Sequence, residues 1–316
     1  MESSPRFQFP IDNKCSDTIT HDFSPFFRVH NDGRIERFKA PEFAPPSDDP
    51  NAGGVRSKDI VISPETGVSV RVYIPQTTNP DHKFPLLVYI HGGGFCLGSA
   101  SSPTFHNFVN SLVAEAKVVA VSVDYRLAPE HHLPIAHEDS WAALKWVVSH
   151  SSGQGPEPWL NSHANFQRVF VAGESAGANI ANEVVIRAGV GDELNGVKIV
   201  GLLLVQPFFG TKEADKMYQF MCPSSSGSDD DPRLNPAVDP RLPRLGCRRV
   251  LFCIAEKDFL RDRGWGYYEA LKKSGWGGEL ESMETEGEGH GFHLFNQSCD
   301  KAVTLLNRLA SFLNKD

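Results

Sequence analysis

The chain lacks any apolar run of the roughly 18 residues that a membrane-spanning helix needs. Residues 1–10 hold neither the apolar stretch nor the cleavage site of a signal peptide. An excess of positive charge is also missing: the net charge is −8 and the pI near 5.8, which argues against nucleic acid and anionic membrane surfaces as partners. Cysteine is sparse, six residues without a C-x-x-C pair or dense spacing. Cys96 and Cys253 fall in apolar segments and are expected to be free, buried thiols. These absences suggest a soluble protein of a reducing compartment, the cytosol, where the sequon Asn296-Gln297-Ser298 goes unused. No repeat of 20–50 residues occurs, and neither G-x-G-x-x-G before a helix nor G-K-[ST] is present, so dinucleotide and phosphate loops are not supported. His131, His132 and His137 lack metal-like spacing with carboxylates and read as surface residues. Asp229-Asp230-Asp231 has no EF-hand pattern after it and reads as a solvated loop. No cofactor and no metal are expected.

What is present is a core-forming composition, 40% apolar and 22% charged, arranged as alternating strands and helices over 316 residues. Residues 1–24 are polar and aperiodic, a frayed start; 26–38 read as a hairpin around Asn31-Asp32-Gly33, and 41–54 as a Pro- and Gly-rich linker. Residues 68–74 alternate like a half-buried strand, whereas 85–90 and 118–123 are apolar on both faces, as central parallel strands are. Further strands are predicted at 169–172, 198–206, 249–255 and 279–285, and helices at 104–116, 138–150, 178–188, 265–273 and 301–313. Trp141 and Trp146 are expected to pack their helix. Such alternation implies an α/β fold: a mostly parallel sheet with helices on both faces and ligands at the carboxyl ends of its strands. One catalytic domain over 51–316 is expected, with 1–50 and the Pro-, Ser- and Asp-rich 207–245 left to cover the site.

Between strand 167–172 and the helix that follows lies Gly173-Glu174-Ser175-Ala176-Gly177. A strand, G-x-S-x-G and a helix form a nucleophile elbow, which holds Ser175 at a helix N-terminus whose N–H groups favour developing negative charge. His91-Gly92-Gly93-Gly94-Phe95 follows strand 85–90 and is a far rarer pattern. Its glycines let the main chain approach a ligand, and the N–H groups of Gly92 and Gly93, with that of Ala176, are candidate oxyanion donors; His91 and Gly94 complete the motif. A serine nucleophile needs a base and an orienting carboxylate, in the chain order Ser, acid, His for this type of sheet. Asp258 lies just beyond strand 249–255 and His290 just beyond 279–285, both at the sheet edge that carries Ser175. Glu256 and Asp262 are alternative acids and His293 an alternative base, although His293 sits among Phe292, Leu294 and Phe295 as a core histidine does.

Together with Asp124-Tyr125-Arg126-Leu127-Ala128-Pro129-Glu130 and Lys257-Asp258-Phe259-Leu260-Arg261-Asp262-Arg263-Gly264, these motifs resemble the plant carboxylesterases, the plant branch of the hormone-sensitive-lipase-like α/β-hydrolases, from about residue 26 to the C-terminus. The resemblance implies an α/β-hydrolase fold with a cap built from the N-terminal segment and the insert after strand 198–206. It implies a serine carboxylesterase with Ser175, Asp258 and His290 as its triad, an oxyanion hole at Gly92, Gly93 and Ala176, and a small-molecule ester as substrate. Relatives in this branch do otherwise. Gibberellin receptors bind without turnover and have lost the histidine retained here as His290, 2-hydroxyisoflavanone dehydratases often carry Thr where this chain has Ser175, and alkaloid cyclases have eroded triads. Each departure favours hydrolysis over elimination, cyclisation or simple binding.

Overall fold

A computed structural model describes residues 18–49, 54–77, 79, 81–210 and 213–315. The chain divides into two compact units, Met1–Ala40 and Pro41–Asp316. In the first, β1 (Ile19–Phe23), β2 (Phe27–His30) and β3 (Ile35–Arg37) form an antiparallel sheet. The turn read at Asn31-Asp32-Gly33 joins β2 to β3, with Gly33 at φ 83°. The frayed start expected over 1–24 is corrected at residues 19–23, which form a paired strand; 1–17, including Cys15, lie outside the described residues.

The second unit runs β4 (Val55–Ser63), β5 (Val68–Pro75), β6 (Phe84–Ile90), α1 (Pro103–Ala116), β7 (Val119–Asp124), α2 (Ile135–Val148), α3 (Pro158–His163), β8 (Ala164–Glu174), α4 (Ala176–Val190), β9 (Ile199–Val205), α5 (Lys216–Met221), β10 (Cys247–Ala255), α6 (Arg261–Lys273), β11 (Glu279–Thr285), α7 (Phe292–Phe295) and α8 (Asp300–Asn314). Among the described residues its strands make one eight-stranded sheet in the order β11-β10-β9-β8-β6-β7-β5-β4. Neighbours from β7 to β11 are parallel, and β5 runs antiparallel to both β4 and β7.

Every residue of β6 is buried, as its unbroken apolar run requires. Leu87 and Tyr89 join a core with Phe105, Phe108 and Leu112 of α1 and Phe312 of α8. Side chains alternate across a strand, so Leu86, Val88 and Ile90 face the other way, and they are as fully buried. That face is covered by α4, which packs on β6, β8 and β9 and receives α2. Each large apolar side chain so buried contributes roughly 1.5–3 kcal/mol.

Three expectations need correction. β5 is buried almost throughout, not half-buried, because β4 and β7 flank it inside the sheet and α1 packs on it. His137 is not at the surface: the third residue of α2, it is 4% exposed and its Nε2 lies 3.1 Å from Asn179 Oδ1. The acidic run is not uniformly solvated, since Asp231 is buried in a bidentate pair with Arg233 at 2.9 and 2.7 Å. Trp141 is buried as expected and Trp146 half-buried, while Cys96 and Cys253 are buried free thiols.

Candidate active site

Because β6, β8, β9, β10 and β11 are parallel and in register near their ends (Ile90 opposite Gly173, Glu174 opposite Val205, Ala255 opposite Thr285), the loops that leave them emerge at one edge. Ser175 terminates β8 with φ 50° and ψ −121°, a strained conformation for a residue with a Cβ. Backbone bonds hold it on both sides: its N–H donates to Val205 O at 2.9 Å, and Phe208 N–H donates to its carbonyl at 3.0 Å. The flanking glycines are sterically obligatory. A Cβ on Gly173 would stand 2.2 Å from Gly177 O, and one on Gly177 would stand 2.1 Å from Ile90 O.

Across the strand ends, His290 Nε2 lies 2.9 Å from Ser175 Oγ, and His290 Nδ1 lies 2.8 Å from Asp258 Oδ2. Asp258 is buried and accepts a second bond, from Leu260 N–H at 2.9 Å, so its carboxylate is fixed before it meets the imidazole. The rejected alternatives are engaged elsewhere. Glu256 Oε2 accepts Gly287 N–H at 2.6 Å, Asp262 lies beside Arg261 on α6, and His293 is buried with its Nε2 3.3 Å from Glu174 Oε2.

The loop 91–95 runs beside the elbow. His91 is buried, stacked on Tyr125 at 4.3 Å, and its Nδ1 lies 2.8 Å from Gly92 O. Burial holds the imidazole below its ordinary pKa, so it is neutral and donates that bond. The Tyr125 hydroxyl donates to the carbonyls of His91 (2.9 Å) and Gly92 (3.2 Å), and burial pushes its pKa well up, which keeps the proton in place. Thus Tyr125, within the Asp124-Tyr125-Arg126 run, braces the glycine loop through the carbonyls of His91 and Gly92.

One residue of the proposed oxyanion set is not free. Gly92 N–H points at Glu174 Oε1 at 3.2 Å, so this donor is already used by the protein. The N–H groups of Gly93, Gly94 and Ala176 have no hydrogen-bond acceptor among the described residues. The Gly94 N–H, read only as part of the motif, is therefore as unengaged as those of Gly93 and Ala176, whereas that of Gly92 is engaged by Glu174.

Two further residues escaped the sequence. Glu174, the variable position of G-x-S-x-G, connects the elbow to the glycine loop through Gly92 and approaches His293. Gln206, the last residue assigned to strand 198–206, reaches the loop that carries His290, its Oε1 accepting Gly291 N–H at 2.6 Å. Neither belongs to a recognisable motif; only their burial amid loop backbone marks them. Among the described residues no cluster of three or more His, Cys, Asp or Glu is arranged to hold a metal, and no helix is long and apolar enough to cross a membrane.

A serine held at a strand-to-helix turn, with its acid and then its imidazole supplied by later strands of a mostly parallel sheet, defines the α/β-hydrolases; the trypsin-like and subtilisin-like enzymes meet the same geometry in other chain orders. Comparison with known proteins agrees: residues 87–294 match the family described as alpha/beta hydrolase fold, and the chain belongs to it. It is 44% identical to probable carboxylesterase 13 of Arabidopsis thaliana, over 94% of this chain and 98% of that protein. It is 42% identical to 2-hydroxyisoflavanone dehydratase of Glycyrrhiza echinata, over 94% and 97%. Among solved structures it is similar to EstE1, a thermostable carboxylesterase from a metagenomic library, with a TM-score of 0.67 and 28% identity over 85% of this chain and 90% of that one.

Proposed function

We propose that this protein is a serine carboxylesterase acting on carboxylic esters of small metabolites. The observation that carries the assignment is the continuous chain Ser175 Oγ, His290 Nε2, His290 Nδ1, Asp258 Oδ2, with separations of 2.9 and 2.8 Å. Carboxylesterases among the relatives and among the structural neighbours support it. Ser175 Oγ attacks the ester carbonyl while its proton passes to His290 Nε2, and the Asp258 carboxylate accepts a hydrogen bond from Nδ1–H and offsets the imidazolium charge. The N–H groups of Gly93 and Ala176, with Gly94 beside them, receive the oxyanion; in comparable sites one such donor is worth about 3–4 kcal/mol of transition-state stabilisation. The C–O bond then breaks, the alcohol leaves with the proton from His290, and water, deprotonated by the same imidazole, cleaves the acyl-enzyme. No cofactor enters these steps.

The insert at 207–245 is assigned to the cap that shapes the substrate pocket. For the insert, Tyr218 of α5 supports this: its ring packs edge-on against Phe95, which follows the glycine run, at 5.8 Å. Ser175→Ala should abolish hydrolysis of a p-nitrophenyl short-chain ester while the protein stays folded; turnover near the wild-type rate would overturn the assignment.

A second reading draws on the 42% identity to a dehydratase: the same imidazole would remove a proton to eliminate water from a phenolic substrate. Elimination from a 2-hydroxyisoflavanone with negligible ester cleavage would favour it. The Ser175 hydroxyl, retained with its base and acid, favours hydrolysis. Cyclisation and ligand binding without turnover find no separate support in the site.

A further inference from the structure

We infer that Gln206 is a positioning residue for the base: it sets the placement of His290 over Ser175. The inference rests on the esterase assignment above. Gln206 is 3% exposed and stands where β9 ends, between the loop that carries the nucleophile and the loop that carries the imidazole. Its Oε1 accepts Gly291 N–H at 2.6 Å and its Nε2 lies 3.5 Å from Gly289 O, so one carboxamide spans the peptides on either side of His290. An N–H can only donate, which fixes the amide's orientation: the oxygen faces Gly291 and the NH2 group faces Gly289.

The other end of the clamp is anchored in the nucleophile. Val205 O accepts Ser175 N–H at 2.9 Å and Phe208 N–H donates to Ser175 O at 3.0 Å, so residues 205–208 hold the serine by its backbone. Gln206 itself is pinned by its own N–H to Cys253 O at 2.7 Å, at a φ of 46° that a side-chain-bearing residue seldom adopts. That backbone turn aims the side chain at 289–291 rather than along the strand. One short segment therefore determines the separation of Ser175 and His290, two residues 115 positions apart in the chain. Asp258 orients the ring at Nδ1 but does not set the height of the His290 backbone; Gln206 does. A misplacement of about 1 Å in such a pair costs on the order of a hundredfold in rate.

Gln206→Met keeps the length of the side chain and removes both polar ends; Gln206→Asn keeps both polar ends and withdraws them by about one bond; Gln206→Glu keeps the oxygen that accepts Gly291 N–H. With a p-nitrophenyl short-chain ester, kcat of Gln206→Met and Gln206→Asn is expected to fall about 10- to 100-fold with KM within about threefold, and Gln206→Glu to recover most of the loss. Thermal denaturation is followed alongside, and rates are taken well below each midpoint. Folded Gln206→Met with kcat within twofold of wild type overturns the role, as does a loss no greater than its unfolded fraction. If Gln206→Met does not fold, Gln206→Asn decides by the same criterion. Ser175→Ala, measured in parallel, separates the two levels: turnover in that variant refutes the esterase assignment itself, whereas an inactive Ser175→Ala beside a fully active Gln206→Met refutes only the clamp.

Discussion

Glu174 Oε1 accepts the N–H of Gly92 at 3.2 Å, joining the residue before the nucleophile to the glycine loop. A carboxylate buried directly behind Ser175 thus holds the glycine loop at its base, while the N–H groups of Gly93 and Gly94 have no acceptor among the described residues. Glu174→Gln retains an acceptor oxygen and should keep kcat/KM within a few-fold of wild type. Glu174→Ala strands a buried N–H, a loss of about 1–3 kcal/mol, and should lower kcat/KM about 10- to 100-fold for a p-nitrophenyl ester. Steady-state kinetics on the two variants decide it; equal activity would mean that the loop stands without this bond.

Asp258→Asn tests the orienting role of the acid. The amide preserves the shape of the site but offers His290 Nδ1 a donor where it needs an acceptor, favouring the wrong tautomer. A fall in kcat of about 10³- to 10⁴-fold is expected, the magnitude seen when serine proteases lose this group, with the melting temperature little changed. A residual rate above about a tenth of wild type would show that another carboxylate does the orienting.

Gly177→Ala should be poorly tolerated. The added methyl would sit 2.1 Å from Ile90 O and 2.4 Å from His91 O, both main-chain atoms that cannot move aside without breaking the β6 and elbow geometry. Destabilisation of about 3 kcal/mol or more is expected, read as a lower denaturation midpoint or insoluble expression. A stable, active variant would contradict the closeness of the elbow to β6.

Burial pushes the pKa of the Cys253 thiol up to about 12, so it stays protonated at pH 8. The thiolate fraction rises with pH, yet it stays small across the range in which the protein is handled. Iodoacetamide at pH 8 should leave Cys253 unmodified in the native protein and label it once the chain is denatured, as peptide mapping would show. Rapid native labelling would place Cys253 outside the core described here.

Much of this protein is legible one-dimensionally, and for a physical reason: patterns that depend on neighbours in the chain survive without a fold. The unbroken apolar run of β6 already states that both its faces are covered, and Gly173, Ser175 and Gly177 state a turn too tight for side chains at its flanks. The chain order of Ser175, Asp258 and His290, each just past a strand, places three groups at one sheet edge before any coordinate is known. Other features depend on residues distant in sequence and were decided only in three dimensions. The depth of β5 follows from its two neighbours in the sheet, and the burial of His137 follows from Asn179 on another helix. Gly92 resembles its neighbours in every local respect, yet its N–H is consumed by a carboxylate 82 positions away. Gln206 reads as the end of a strand until the loop of His290 folds against it. Local sterics and periodicity wrote the architecture and the convergence of Ser175, Asp258 and His290 into the sequence; which hydrogen-bond donors stay unengaged was settled by packing, because a donor's availability depends on every acceptor the folded chain brings within reach.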